Sequence, residues 1–593
     1  MDEQSSQLQQ LRRHFQQVQS DPSTLLDEKL LDTAIYALIP TLTPQDSQTL
    51  ILEIYQLLPI LQQDPTPLVR LLARLLEPVP LSAILSLEPP VDFIAGLQVA
   101  EPPLNNLTLS LLEKADGNAA RTLASAHPQL FISLVELWLG TQDEGIADKA
   151  GKVLIHLLKV DLPETGTVGL DGPVWKRVFR DRDVYERLFA ITDTNTNQDT
   201  TLSKSRKTIA QARLLDWLPE VGRLDWTSIS QSYHPTIGSA FSLPSGQQSL
   251  LDYAASYMVD YKRDVLMHRT LISSYEALLS INPENSLQTS PALAFLQKSG
   301  LHTRTLAYYT TPDDPAHDPL DVSFLYAPAA MYTARWAETY PLDLTSPHNK
   351  DVQTRVLKKI SAAVNVPAAR WAHSHSPSED LHVLASLPRS SLLSLGASNP
   401  VLSIPSRAAN TDALNCLATL FHGPLAEAIT FPTPTPPKAN EGEEIKAAQA
   451  LYAQYLQENP RLWTDITQHA DTIALAPQAL ASIGLIKAVL AARWSGIDAL
   501  MFDESPAKAT VVPWLLAPPK TFSNLVGGRG DAEGAAYKIA AARFDVLKAF
   551  EARVREDGRE EWQTVAKAAE ERVREGVLGK GQEVGGRIAT LEL

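Results

Sequence analysis

Forty-two prolines are spread along a chain of 593 residues, and they seldom fall inside its apolar stripes. Proline lacks an N–H and clashes with the preceding turn, so it suits the first turn of a helix or a loop and not a helix interior. Punctuation of this kind cuts a chain into many helices of ordinary length. The stripes agree: Ile51, Ile54, Tyr55, Leu57, Leu58 and Leu61 recur at helical spacing, and alternation of period two is scarce. The start of that helix is well marked, with Thr43 at the N-cap, Pro44 at the first helical position and Asp46 in the first turn. Pro59 should end or kink it early, and Asp21-Pro22 and Thr66-Pro67 repeat the cap-then-proline device. Glycine is sparse at 27, which disfavours a turn-rich β-sandwich or a phosphate-cradling α/β enzyme.

Short amphipathic helices joined by short loops are the pattern of a helical solenoid. Asp64 to Leu76 reads D-P-x-P-x-V-R-x-x-A-x-x-L, a HEAT/armadillo-like unit in which Val69, Ala73 and Leu76 should face inward and Arg70 should reach a neighbouring loop or solvent. Asp143 to Leu158 is a second copy, with the stripe Ile146, Ala147, Ala150, Val153, Leu154, Leu157 and Leu158, and with Lys149 and Lys152 outside it. Asp351, Val352, Arg355, Val356 and Ile360 form a weaker third. Ala73 and Ala150 are small enough to let neighbouring helices approach closely. The expected fold is all-α, a HEAT/armadillo-like curved helical solenoid with degenerate repeats; unrelated helices in a globular bundle are the alternative.

Breaks in the pattern divide the chain into a polar N-terminal segment (1–20), an N-terminal array (21–234), a central helical array (235–430), a proline-rich loop (431–444), C-terminal helical repeats (445–575) and a flexible tail (576–593). The 21–234 and 235–430 arrays meet at the Pro- and Gly-bearing stretch Ser228 to Gln248. Thr192 to Lys204 reads as a further loop.

Charge and cysteine content narrow the function classes. The formal net charge is −16, which argues against direct binding to nucleic acid or to an anionic membrane surface. A single cysteine, Cys416, forbids an intrachain disulfide and fits a reducing compartment. The polar, glutamine-rich start has no signal-peptide character, and the most apolar run, Ile473 to Ala492, contains Pro477, Gln478 and Lys487 and reads as a buried helix. A cytoplasmic location, extending to the nucleus, is the expectation.

No nucleophile, phosphate-loop or zinc-helix signature is present. His373 and His375, two apart with His382 further on, would point to different helix faces and make a poor metal site. Asp193 to Lys204 imitates a calcium loop, but Gln198 stands where glycine must turn and Lys204 where a bidentate glutamate is required. Arg529-Gly530-Asp531 and the sequon Asn106-Leu107-Thr108 need a secreted context. Cys416 lies in an apolar helical stretch, six residues from His422, and reads as a small buried hydrophobe. Neither a metal nor a cofactor is expected. The basic cluster Lys176, Arg177, Arg180, Arg182 and Arg187 is interleaved with Trp175, Phe179, Tyr185 and Phe189 and with the acids Asp181, Asp183 and Glu186. Arg177, Arg180, Tyr185 and Arg187 are the candidate partner-binding residues, with a solvated helix face, or bridging of adjacent repeats, as the alternatives.

The segment Ala542-Arg543-Phe544-Asp545-Val546-Leu547-Lys548-Ala549-Phe550 resembles the K-Y-E-L-V-K-A-L helix near the end of the 26S proteasome non-ATPase regulatory subunit 5 family. Arg543 stands for its first lysine, Phe544 for tyrosine, Asp545 for glutamate and Lys548 for the second lysine. Asp143 to Leu158 looks like that family's armadillo-type repeats, and Gly172 to Thr192 looks like its fungal branch, which carries an older label as a DNA mismatch repair protein. The motifs are short, and the proline-rich insert and charged C-terminal extension fall outside the resemblance. It implies a non-catalytic assembly chaperone that binds the C-terminal domain of a proteasomal base ATPase subunit while the 19S regulatory particle is built. A generic HEAT/armadillo scaffold or transport adaptor is the alternative, and a helical enzyme a third.

Overall fold

The computed structural model describes residues 2–88, 90–163, 172–194, 202–371, 377–407, 410–422, 441–492, 494, 505–519, 534–557 and 559–577. Within them every regular element is helical and no strand occurs, so the chain is all-α. It divides into two compact units, Met1–Ser274 and Tyr275–Leu593. In each, helices pack chiefly on their near neighbours in the chain, a solenoid-like arrangement.

Many helix starts carry the expected chemistry. Thr43 caps the helix Pro44–Leu57, its hydroxyl accepting from the Asp46 N–H at 3.2 Å, and Pro59 confines the last turn to the 3-10 segment Leu58–Ile60. Asp116 and Asp143 accept in the same way at the starts of Gly117–Ala126 and Glu144–Val160. Pro102, Pro128, Pro291 and Pro319 each open a helix. Pro219, Pro328 and Pro513 lie inside helices and break the rule.

Two of the cap-then-proline assignments shift. Asp21-Pro22 forms a turn that ends the preceding helix, because the Asp21 carboxylate takes the Ser23 N–H (3.1 Å) and hydroxyl (2.6 Å); the next helix, Glu28–Thr33, is capped by Asp27. At Thr66–Leu76 the turn is made one step earlier, with Asp64 accepting from the Thr66 N–H at 2.9 Å. The inward face of that helix is Leu68, Val69, Leu71, Leu72, Leu75 and Leu76, whereas Ala73 is exposed and sets no close approach. Six leucines and valines in nine residues outcompete one alanine for the core. Arg70 reaches Asp32 at 3.4 Å.

The second repeat unit is as expected. All seven stripe residues of Glu144–Val160 are buried, packed on the helices Pro128–Gly140 and Pro102–Leu112. Lys149 crosses to the latter, donating to Asn106 Oδ1 (2.6 Å) and Ser110 Oγ (2.5 Å). In the weaker third unit, Lys350–Val364, Val356, Ile360 and Val364 are buried.

Of the segment 1–20, Asp2–Ser20 is a helix that buries Leu11, Phe15 and Val18. The stretch Ser228 to Gln248 does not divide the units. It is packed within the first by Ile237, Phe241 and Leu243, and the division falls inside the helix Val265–Leu279. Glu441 to Glu444 belong to the first turn of the helix Glu441–Glu458, where their charge meets the helix dipole; the rest of the proline-rich loop, 431–440, lies outside the described residues, as do His373, His375, Arg529-Gly530-Asp531 and the tail beyond Val577. The sequon is inside the helix Pro102–Leu112, with Leu107 and Thr108 buried. Ile473–Ala491 is long and apolar enough to cross a membrane, but half of it is buried in the second unit, where Ala476–Ala491 packs on Thr411–His422, Leu462–Ala470 and Ala535–Asp557.

Candidate protein-binding surface

The structure places the four candidate residues in different settings. The expected single helix is two: Pro173–Trp175 continues as a π-turn over Lys176–Arg180, the chain breaks at Asp181, and Asp181 caps a new helix, Arg182–Thr192. Tyr185 is wholly buried, its ring 5.3 Å from those of Phe189 and His234, so it offers no aromatic anchor to a partner. Trp175, Phe179 and Phe189 are buried as well and belong to the core with Trp138, Trp217, Phe241 and Tyr253. The aromatics interleaved with the basic residues are therefore packing groups.

The three arginines reach three different neighbours. Arg177 Nε donates to the Ala124 carbonyl at 3.0 Å, near the end of the helix Gly117–Ala126, and its guanidinium pairs with Asp181. Arg180 lies over the Tyr233 ring, 5.5 Å from its centroid, and its own carbonyl accepts from His234 Nε2 at 3.1 Å. Arg187 pairs with Glu136 on Pro128–Gly140 at 3.3 Å. Arg180 and Arg187 remain exposed, and Arg177 is half-buried in a joint between helices. Each is engaged with a different element.

Arg177 is one case of a recurring device. The last carbonyls of a helix have no intrahelical donor and carry partial negative charge. Lys114 Nζ meets those of Leu76 (2.7 Å), Glu77 (2.7 Å) and Val79 (3.2 Å). Arg213 Nη1 meets those of Trp138 (3.0 Å), Leu139 (3.3 Å) and Thr141 (2.9 Å), and Nη2 pairs with Glu144 (2.9 Å). Arg389 donates to Thr419 and Leu420 at 2.7 and 2.9 Å, and Glu444 bonds the Arg389 and Ser390 N–H groups from the other side. Arg543 does the same for Trp514 and Ala517. Sequence reading missed Lys114, Arg213 and Arg389 and read Arg543 only as part of a motif. A contact made 26 to 75 residues away leaves no local signal.

The second unit buries a set of titratable groups. Tyr309 and Tyr326 both donate to Asp380 Oδ1, at 3.0 and 2.8 Å. Burial raises the Asp380 carboxyl above its usual range, against the two tyrosine bonds and Lys359, which lower it. His302 Nδ1 is hydrogen-bonded to the Tyr332 hydroxyl (2.8 Å), and burial pushes its imidazole down to about 4, so it is neutral. His382 is pushed to about 4 by burial and then by Arg335. Burial raises the Cys416 thiol, which stays protonated and unreactive. These groups are packed among other side chains. A cleft of about 270 Å³ lies elsewhere, between the first helix and Glu28–Thr33, lined by Gln7, Gln10, Leu11, Asp27 and Lys29 among others, with no histidine or cysteine. Among the described residues no cluster of three or more His, Cys, Asp or Glu could hold a metal ion.

The Asp380 environment fixes a pH dependence. Its folded pKa lies above the unfolded value of about 3.9, so the folded state binds more protons in that window, and stability falls as pH rises through it. Asp380→Asn removes the titration. The stability of the variant relative to the parent should increase from pH 4 towards neutrality, measured by urea unfolding. A difference that does not change with pH would sink this assignment.

No family model and no curated protein matches the chain. Among solved structures, it is similar to SYS-1 at 9% identity, covering 95% of this chain and 88% of that one with a TM-score of 0.25. It is similar to SYS-1 in the complex SYS-1/POP-1 at the same identity and coverage, with a TM-score of 0.22. Values this low carry no weight for a shared function, and the all-α assignment stands on the helices themselves.

Proposed function

We propose that this chain is a non-catalytic helical scaffold that binds other proteins. The observation that carries it is the use of the polar groups. Buried ionisable and nucleophilic side chains are committed to packing and to joints between successive helices, as in the Asp380 and Arg543 clusters. Stacked helices of this kind present an extended series of faces, and affinity on them comes from many modest contacts.

The finer reading is that of a chaperone holding the C-terminal domain of a proteasomal base ATPase. It is supported by the resemblance of Ala542–Phe550, Asp143–Leu158 and Gly172–Thr192. Affinity purification of the tagged full chain with mass spectrometry tests both levels. Recovery of proteasomal ATPases supports the chaperone, recovery of other stoichiometric proteins leaves the scaffold or transport adaptor, and recovery of no protein partner defeats both.

The arginines are separable in the same assay. Arg180→Glu with Arg187→Glu should weaken partner capture by about tenfold or more, equivalent to about 1.4 kcal/mol, with the melting temperature nearly unchanged, since exposed pairs contribute little. Arg177→Glu should instead lower the melting temperature, because it reverses the charge at the end of Gly117–Ala126. Unchanged capture by the double variant would remove Arg180 and Arg187 from the interface.

A further inference from the structure

The helix Pro319–Thr339 is apolar on both sides. Its inner face buries Leu325, Ala329, Tyr332 and Trp336. On the outer side Leu320 is 71% exposed and Phe324 48%, and Ala327 and Met331 continue the line half-buried. Positions 320, 324, 327 and 331 are spaced i, i+4, i+7 and i+11, one stripe running three turns along the helix. A surface helix ordinarily turns charged or polar residues to water, and one that is apolar all round is ordinarily covered on both sides.

The surroundings say what kind of partner fits. Asp313, Asp314 and Asp318 are exposed in the loop leading into the helix, and Asp321 lies in its first turn. The loop is ordered by its own bonds: Asp314 accepts from the Ala316 N–H (2.9 Å), Asp318 from the Leu320 N–H (2.8 Å), and the His317 ring stacks on Tyr308 at 4.6 Å. No lysine or arginine occurs between Arg304 and Arg335. Arg335, at the far end, is held by Glu276 (3.7 Å) and Glu338 (3.0 Å). Lys359 sits over Tyr326, 4.9 Å from the ring centroid, but Tyr326 is roughly 200° round the helix from Phe324. The stripe thus begins beside an acidic rim, in a stretch of chain that carries no lysine or arginine of its own.

We propose that the outer face of Pro319–Thr339 docks a basic amphipathic helix from a partner protein, its apolar stripe on Leu320, Phe324 and Met331 and its cations beside Asp313 and Asp321. Helix-on-helix docking uses i, i+3/i+4 and i+7 anchors of this spacing, and complementary charge sets orientation and speeds encounter. The acidic rim disfavours an anionic lipid surface. The assignment rests on the scaffold reading above and names one docking face for it.

The test uses the full chain and a fluorescent model helix of about 18 residues, five turns long, built from leucine and lysine. Controls are the same helix with glutamate in place of lysine, and vesicles containing phosphatidylserine. The lysine helix should bind, weakening as salt screens the rim, and the glutamate helix should bind at least about tenfold more weakly. Leu320→Ser with Phe324→Ser should lose about tenfold or more of that affinity with an unchanged melting curve. Asp313→Asn with Asp321→Asn should reduce the salt dependence. A dissociation constant weaker than about 1 mM for the parent, equal binding by the serine variant, or binding to the vesicles in place of the helix overturns the proposal. Affinity purification separates the two levels: partners recovered equally by parent and serine variant overturn this face and leave the scaffold standing, whereas no partner with either defeats the scaffold itself.

Discussion

Replacing Arg543 with alanine should destabilise the second unit by about 3–5 kcal/mol, the cost of stranding one member of a buried ion pair. Arg543 is 4% exposed. Its Nη2 donates to the carbonyls of Trp514 and Ala517, its Nη1 lies 3.4 Å from Asp471 Oδ1, and its guanidinium rests 4.1 Å from the Trp514 ring centroid. Burial lowers its pKa to about 10, with Asp471 opposing the shift, so the side chain is charged at neutral pH. Alanine would take the guanidinium charge from Asp471, which keeps its 2.8 Å bond from the Trp514 indole, and would remove this donor from two helix-terminal carbonyls. Lysine keeps the charge but loses the planar fork and the stacking, so Arg543→Lys should fall between the two. Urea unfolding with hydrogen exchange over Leu462–Ala470, Ser505–Leu516 and Ala535–Asp557 is the measurement. A loss below about 1 kcal/mol, the scale of an exposed pair, would show that the clamp is not formed.

Leu154→Ala should cost about 2–5 kcal/mol, the range for a leucine removed from a close-packed core. Leu154 is fully buried on Glu144–Val160, a helix that packs on Pro128–Gly140 and Pro102–Leu112. Where each helix touches chiefly its chain neighbours, damage stays local before it spreads. Hydrogen exchange should therefore quicken first over residues 102–160, with protection in the second unit unchanged. Unaltered exchange and stability would show that this stripe is not core.

Both sites bear on how far the amino-acid sequence could be read. The 144–160 stripe was legible because seven apolar positions at helical spacing leave one face to bury, and Asp143 marks where it starts. The Thr43 cap was legible for the same reason, since its bond spans three residues. Ala73 was misplaced because a repeat template assigned it inward, while the neighbouring leucines compete for the same core. Tyr185 was misread because a tyrosine beside arginines looks like an anchor on a surface; only the packing of Phe189 and His234 around it shows it buried. The roles of Lys114, Arg213 and Arg389 were out of reach, because their acceptors are carbonyls, which every residue carries.

Those cationic caps also bear on mechanics. Lys114 and Arg213 each lie within 3.3 Å of three carbonyls in a single helix end. When one helix rocks against the next, such a group trades one acceptor for another without losing a bond or admitting water. The leucine layers around Leu154 have no such freedom, since close-packed side chains forfeit contact energy with small displacements. A joint of this kind works like a ball in a socket with several seats, stiff along its apolar seam and compliant at its rim.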